Sequence, residues 1–213
     1  MSRQQRAAGA AVRFRRARWS VAKPRIDEAA LDGYCEVVFG EIALPTVEPA
    51  AFKAGMRRLA ASVCLITTLN ADGSRNGLTA TAVCSLSTEP ATLLCCLNRG
   101  SNSFAAIQGA GMFAVNLLST DDRAIADHFA TSGADKFGRG EWIALETGAP
   151  ILASAIAAFD CKLINVVEVG THGILIGEVQ ALELHPAGAK PLLYVDGGYG
   201  AFAPHEMLTT KPI

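Results

Sequence analysis

The 213-residue chain reads as mainly β with short helices, folded as one mainly antiparallel barrel. Three observations lead there. About seven short runs rich in β-branched and aliphatic residues follow one another closely. Only brief helical patterns interrupt them, so the order is not strand–helix–strand throughout. Twenty glycines supply many tight turns and close backbone approaches.

The elements follow in order. Glu48-Pro49 opens a helix with proline in its first turn, and Phe52, Met56 and Leu59 recur at helical spacing on the face expected to be buried. Residues 62–69 form a strand, and Asn70-Ala71-Asp72-Gly73 turns it into a second strand ending near Ser87. Ala91–Leu97 is a third strand, Ser103–Gln108 a short helix and Met112–Leu117 a strand. Asp121–Phe129 is a helix with two aspartates at its positive end. A glycine-rich loop covers 131–150. A long hairpin spans 159–184, and a last strand at Leu192–Val195 leads into the C-terminal tail. We read 48–205 as one domain, 206–213 as a tail and 1–47 as a basic, disordered or loosely ordered extension.

Composition narrows the function classes. Residues 1–25 hold eight of the 19 basic residues and no acidic one, which leaves 11 basic against 20 acidic in the remainder. A body that acidic is a poor nucleic-acid binder. The basic head has no apolar core of a secretory signal, although an RNA-binding arm or a targeting peptide fits its charge. No run of eighteen apolar residues exists, so no membrane span is expected. The six cysteines show no C-x-x-C spacing, which predicts a reduced, cytoplasmic protein without a zinc site. Neither G-x-G-x-x-G nor a Walker A sequence is present, which argues against Rossmann and P-loop sites.

Four stretches carry candidate chemistry. In Asn76–Ser87, period two puts Thr79, Thr81, Val83 and Ser85 on one face and Ala80, Ala82, Cys84 and Leu86 on the other, expected to be core. The hydroxyl face suits a flat heterocycle, or it is a solvated strand face. In Cys96–Ser103, Asn98, Arg99, Ser101 and Ser103 surround Gly100 at a helix start. That is a phosphate site or an ordinary capping turn. Asp135–Trp142 mixes Lys136 and Arg139 with aromatic residues, as a lid or a solvated loop would. Finally, two strand-forming runs flank Gly170-Thr171-His172-Gly173, holding a histidine at the mouth of a hairpin.

Together with Thr147-Gly148-Ala149-Pro150, these stretches resemble the flavin reductase-like family over about residues 48–203. Glu168-Val169-Gly170-Thr171-His172 is highly characteristic of it. The resemblance implies an FMN-binding split β-barrel with a Greek-key core, paired as a homodimer with flavin near the interface. It implies that Thr79, Ala80, Thr81, Ala82 and Ser85 contact the isoalloxazine ring and ribityl chain. Asn98, Arg99, Ser101 and Ser103 would hold the phosphate, while Phe129, Lys136 and Phe137 close the site. His172, the candidate catalytic residue, would meet the nicotinamide side, and Tyr199 would help cover the cofactor. Family members often carry charged residues between Asp196 and Tyr199, where this chain has Gly197-Gly198.

The expected activity is NAD(P)H:flavin oxidoreduction with FMN, or with FAD, supplying reduced flavin to a partner monooxygenase. NADH is favoured over NADPH, because no arginine cluster near His172 is offered to a 2′-phosphate. The alternative is a flavin- or haem-binding barrel that acts as sensor or carrier without turnover.

Overall fold

A computed structural model describes residues 46–131, 135–185 and 188–203. The expectations for residues 1–45 and for the tail beyond 203 lie outside these residues.

Helix α1 spans Pro49–Met56, with Pro49 inside its first turn as its fixed φ favours. The helical period is right but the expected burial is not. No residue of α1 is buried, and Phe52 and Met56, with Leu59 beyond its end, are 61%, 50% and 63% exposed. Among the described residues no element packs over this stripe.

The strands are β1 (Ala61–Ser62), β2 (Cys64–Leu69), β3 (Arg75–Ala80), β4 (Val83–Thr88), β5 (Ala91–Asn98), β6 (Met112–Leu117), β7 (Trp142–Ala144) and β8 (Pro150–Leu152). They continue with β9 (Ala157–Val169), β10 (His172–Leu184), β11 (Leu192–Val195) and β12 (Gly198–Ala201). Helix α2 is Asn102–Ala110, and α3 is Arg123–Ala130 after a 3-10 turn at Thr120–Asp122.

Seven strands form one antiparallel sheet in the order β3-β2-β6-β9-β10-β5-β4. Its two edge strands are consecutive in the chain, joined only through Thr81 and Ala82. Seven flat strands would hold their edges roughly 29 Å apart, whereas three peptide steps reach about 10 Å. The sheet must therefore curl into a barrel. The non-sequential order is that of a split barrel with a Greek-key core.

That closure corrects the single strand read up to Ser87. The Ala82 carbonyl accepts from Cys96 N at 3.0 Å, so the chain breaks from β3 and re-pairs on β5. Period two does not survive the break. Val83 packs on the barrel core, while Cys84 and Leu86, expected inside, are exposed. The loop read over 131–150 likewise contains β7, paired with β8.

Both faces of β2 are buried. Cys64 and Ile66 join Cys95, Phe113, Cys161 and Leu175 in one core, while Val63 and Leu65 meet Ala114, Phe129, Ile151 and Leu152 in another. Side-chain alternation divides the two sets. Asn116 is paired inside: its Nδ2 donates to Thr67 Oγ1 at 3.0 Å, and Leu152 N donates to its Oδ1 at 2.8 Å. Thr147 N donates to the buried Asp160 carboxylate at 2.7 Å, which pins the Thr147–Pro150 segment to β9.

The segment just after Val195 is also strand. β1, β11 and β12 form a separate sheet, with β11 and β12 joined by Asp196-Gly197. Both turn residues have positive φ, 51° and 85°, which a two-residue I′ hairpin requires.

Candidate functional site

Three cavities receive most of the residues singled out in the sequence. The cavity of about 510 Å³ is the most polar in its chemistry, lined by Arg75, Asn76, Ser101, Ser103, Lys136 and Phe137 among others. Helix α2 points its N-terminus here, and a helix leaves its first amides without intrahelical partners. Ser101 caps it, its hydroxyl accepting from Phe104 N at 3.2 Å. Ser103 is buried and donates to Asn76 Oδ1 at 2.7 Å, tying α2 to β3. Lys136 Nζ donates to the Gly77 carbonyl at 2.9 Å and lies 6.0 Å from the Phe129 ring centroid. Burial holds the Lys136 pKa below the ordinary lysine value. Two cations, a helix N-terminus and a serine hydroxyl suit a phosphate.

A cavity of about 940 Å³ lies between the end of α1, β4 and β5, with Met56, Leu59, Thr81, Ala82, Ser85 and Cys96 in its wall. Thr92 also lines it, and its buried hydroxyl has no partner among the described residues. A smaller cavity of about 250 Å³ holds Thr79, Ala80, Thr81 and Tyr199. Thr81 belongs to both, so the break between β3 and β4 joins them. Thr79 is committed elsewhere, donating to the Ala126 carbonyl at 2.9 Å. Tyr199 packs on Tyr194 at 5.5 Å and under Arg123 at 5.6 Å. Burial first, and then the Asp127 carboxylate, raise its phenol pKa.

Four of the expected residues line none of these cavities. Phe129 is buried and braces Phe137 and Trp142, with centroids at 5.0 and 5.6 Å. Asn98 accepts from Gly100 N at 2.8 Å through its side chain, shaping the turn before α2. His172 is exposed at the first position of β10, paired with Asn98 and Val169, and its Nδ1 lies 2.9 Å from Thr171 Oγ1. Arg99 turns to the hairpin, 2.6 Å from Glu168.

The sequence reading missed Arg75, the first residue of β3. It also missed His128, whose Nε2 lies 2.7 Å from the Asp135 carbonyl and tethers the segment carrying Lys136 and Phe137. Nothing local marks His128, because its partner is reached across a loop. Gly77 was passed over too. A Cβ there would come within 2.8 Å of the Ile66 carbonyl and 3.1 Å of Phe129.

The flavin reductase like domain family matches residues 56–203, which includes all three cavities and the His172 hairpin. The chain belongs to the flavin reductase-like family. Among its relatives is an FMN reductase (NADH), RutF 2, of Methylorubrum extorquens strain PA1, 43% identical over 155 residues. The match covers 72% of this chain and 89% of that protein. The flavin reductase PheA2 superposes with a TM-score of 0.68 at 30% identity, over 74% of this chain and 100% of PheA2. Nitrilotriacetate monooxygenase component B of Mycobacterium thermoresistibile gives a TM-score of 0.71 at 27% identity, over 78% and 95% of the two chains. The split barrel of this flavin reductase-like chain is therefore the fold of its family. No helix among its described residues is long and apolar enough to cross a membrane.

Proposed function

We propose that this chain is an NADH-dependent flavin reductase that takes FMN and releases it reduced to a partner monooxygenase. The observation that carries this reading is the 510 Å³ cavity, where Lys136, Arg75 and the α2 N-terminus converge beside the Thr79–Thr81 strand end. The donor set fits a flavin phosphate. The neutral, partly apolar walls at Thr81, Ala82 and Ser85 fit a flat ring. When both are bound, nicotinamide C4 supplies a hydride to flavin N5.

The chain's own part is to align and to exclude water. Ser101, with Asn98 shaping its turn, presents the α2 amides. Lys136 neutralises charge, and Phe137 lines the cavity with Phe129 packed against it. His172, exposed at the start of β10 opposite Asn98, orients the dinucleotide as a donor. Neutral contacts to the ring leave it free to depart, as a donor to a second enzyme requires. The name of nitrilotriacetate monooxygenase component B supports such a partner.

A homodimer is part of this reading. The occupant of the Phe52–Met56–Leu59 stripe is a second copy of the chain, which closes the large cavity beside the flavin ring, because the stripe continues into that cavity wall. Light scattering on the purified protein tests it, and a monomer at micromolar concentration would refute it. The free cysteines among the described residues support a reducing, cytoplasmic setting.

The deciding experiment is oxidation of NADH and NADPH with FMN, FAD or riboflavin. We expect flavin-dependent NADH oxidation, fastest with FMN and slower with NADPH. Flavin binding without NADH oxidation would instead indicate a carrier or sensor.

A further inference from the structure

Arg99 leaves β5 one residue beyond the phosphate-loop residue Asn98, yet its contacts all lie on the opposite hairpin. Its amide donates to the Thr171 carbonyl at 3.0 Å. Its Nη1 donates to the Gly170 carbonyl at 3.3 Å, and its Nη2 meets Glu168 Oε2 at 2.6 Å. The Gly170-Thr171 turn has two residues, with Gly170 at a φ of 56°. Arg99 thus binds both carbonyls of the turn that sets where β10, and His172 with it, begins.

Nothing else holds the His172 ring beyond Thr171 Oγ1 among the described residues. Its position therefore follows the turn backbone. Beneath it, the Phe104 ring fills the space over Gly173, so that a Cβ would lie 2.3 Å from it. The turn is clamped from α2 on one side and by Arg99 on the other. Meanwhile the cations lining the 510 Å³ cavity are Arg75 and Lys136.

We propose that Arg99 is a positioning residue for the His172 turn, acting through Glu168 and the turn carbonyls, and that Arg75 takes the phosphate-facing place beside Lys136. The proposal rests on the flavin reductase reading of the site. A guanidinium fork presents its donors to a carboxylate and a carbonyl at fixed relative positions, which the single rotating ammonium of lysine does not. The Arg99–Glu168 pair is 44% and 46% exposed, so it contributes little to global stability and much more to local orientation. One residue then couples the loop at the phosphate to the residue at the nicotinamide.

The test uses Arg99→Ala, Arg99→Lys, Glu168→Ala, Glu168→Gln, the double alanine variant and Arg75→Gln in the full-length protein. Three readouts are taken: KM for NADH, the ratio of FMN to riboflavin affinity, and the His172 imidazole cross-peak in ¹H–¹³C spectra. Arg99→Ala and Glu168→Ala should each raise KM for NADH roughly 3- to 10-fold, tenfold being about 1.4 kcal/mol. Both should shift the His172 cross-peak and leave His128 and His185 in place. The double variant should be no worse than Arg99→Ala within about twofold, as for two members of one contact. Arg99→Lys and Glu168→Gln, which keep part of the contact, should recover part of the loss. Arg75→Gln should lower FMN affinity about tenfold against riboflavin, and Arg99→Ala should not. The proposal is overturned if Arg99→Ala selectively weakens FMN while Glu168→Ala does nothing, or if neither moves the His172 cross-peak. A parent protein that oxidises no NADH would refute the reductase reading instead, while the cross-peak and the flavin ratios still judge Arg99.

Discussion

The Lys136 ammonium donates to the Gly77 carbonyl at 2.9 Å, which holds a desolvated cation on the wall shared by Ser101 and Ser103. Gly77 lies on β3 and Lys136 on the far loop, so this bond also fastens the loop to the barrel.

Lys136→Met should weaken FMN binding by about 1.5–3 kcal/mol, the range for hydrogen bonds to charged groups. Riboflavin, which lacks the phosphate, should change little. The Lys136 pKa is lowered by burial, so the parent's FMN affinity should be full at neutral pH and decline as alkaline pH removes the proton. Fluorescence titrations of both flavins across pH check this, and equal losses for the two would remove Lys136 from the phosphate.

His172→Ala should raise KM for NADH or lower kcat by roughly 10- to 100-fold, about 1.4–2.7 kcal/mol. Hydride transfer needs no protein base, so the residue orients rather than shuttles a proton. Its FMN affinity should match the parent's. Unchanged NADH kinetics at low substrate would reduce His172 to a turn residue.

Gly77→Ala tests packing. The added methyl would sit 2.8 Å from a backbone oxygen on β2, which cannot swing aside as a side chain can. The cost should be about 1–3 kcal/mol, a fall in Tm of roughly 2–4 °C for each kcal/mol. Thermal melts decide it, and a Tm equal to the parent's would mean that β2 and β3 yield there.

The buried thiols give a pH signature. Desolvation pushes Cys64 and Cys161 up to about 12, and raises Cys95 further with help from its neighbouring cysteines. In the unfolded chain these thiols ionise near the ordinary value of 9.0. Between that value and the folded one the native state binds more protons, so their contribution is complete below pH 9 and lost as pH rises toward 12. Urea melts should show stability falling over this window, less steeply in Cys95→Ala. In native protein at pH 8 these three cysteines should resist alkylation, as peptide mapping would show.

Much of the fold was legible in the chain. The Asn70–Gly73 turn forms as read, with Gly73 N donating to the Asn70 carbonyl at 2.9 Å. Ser101 caps α2, the capping alternative that its position allowed. The Asp196-Gly197 hairpin was equally legible and was overlooked, although Asp-Gly between two strand-like segments is a strong turn signal. The break at Thr81-Ala82 was not legible. Residues 79–86 alternate without interruption, and only the pairing of Ala82 with Cys96 bends them.

Most strand segments, the Asn70–Gly73 turn and the family were set by the chain locally, because each depends on residues within a few positions or on motifs read in order. Tertiary structure decided which face of each segment is used. It divided the hydroxyl-bearing residues among three cavities and left the α1 stripe exposed among the described residues. It also gave Arg99 to Glu168, 69 positions away in the chain, rather than to the cavity beside it. A side chain's partner depends on barrel curvature and strand register, and both arise from contacts between residues far apart in the chain.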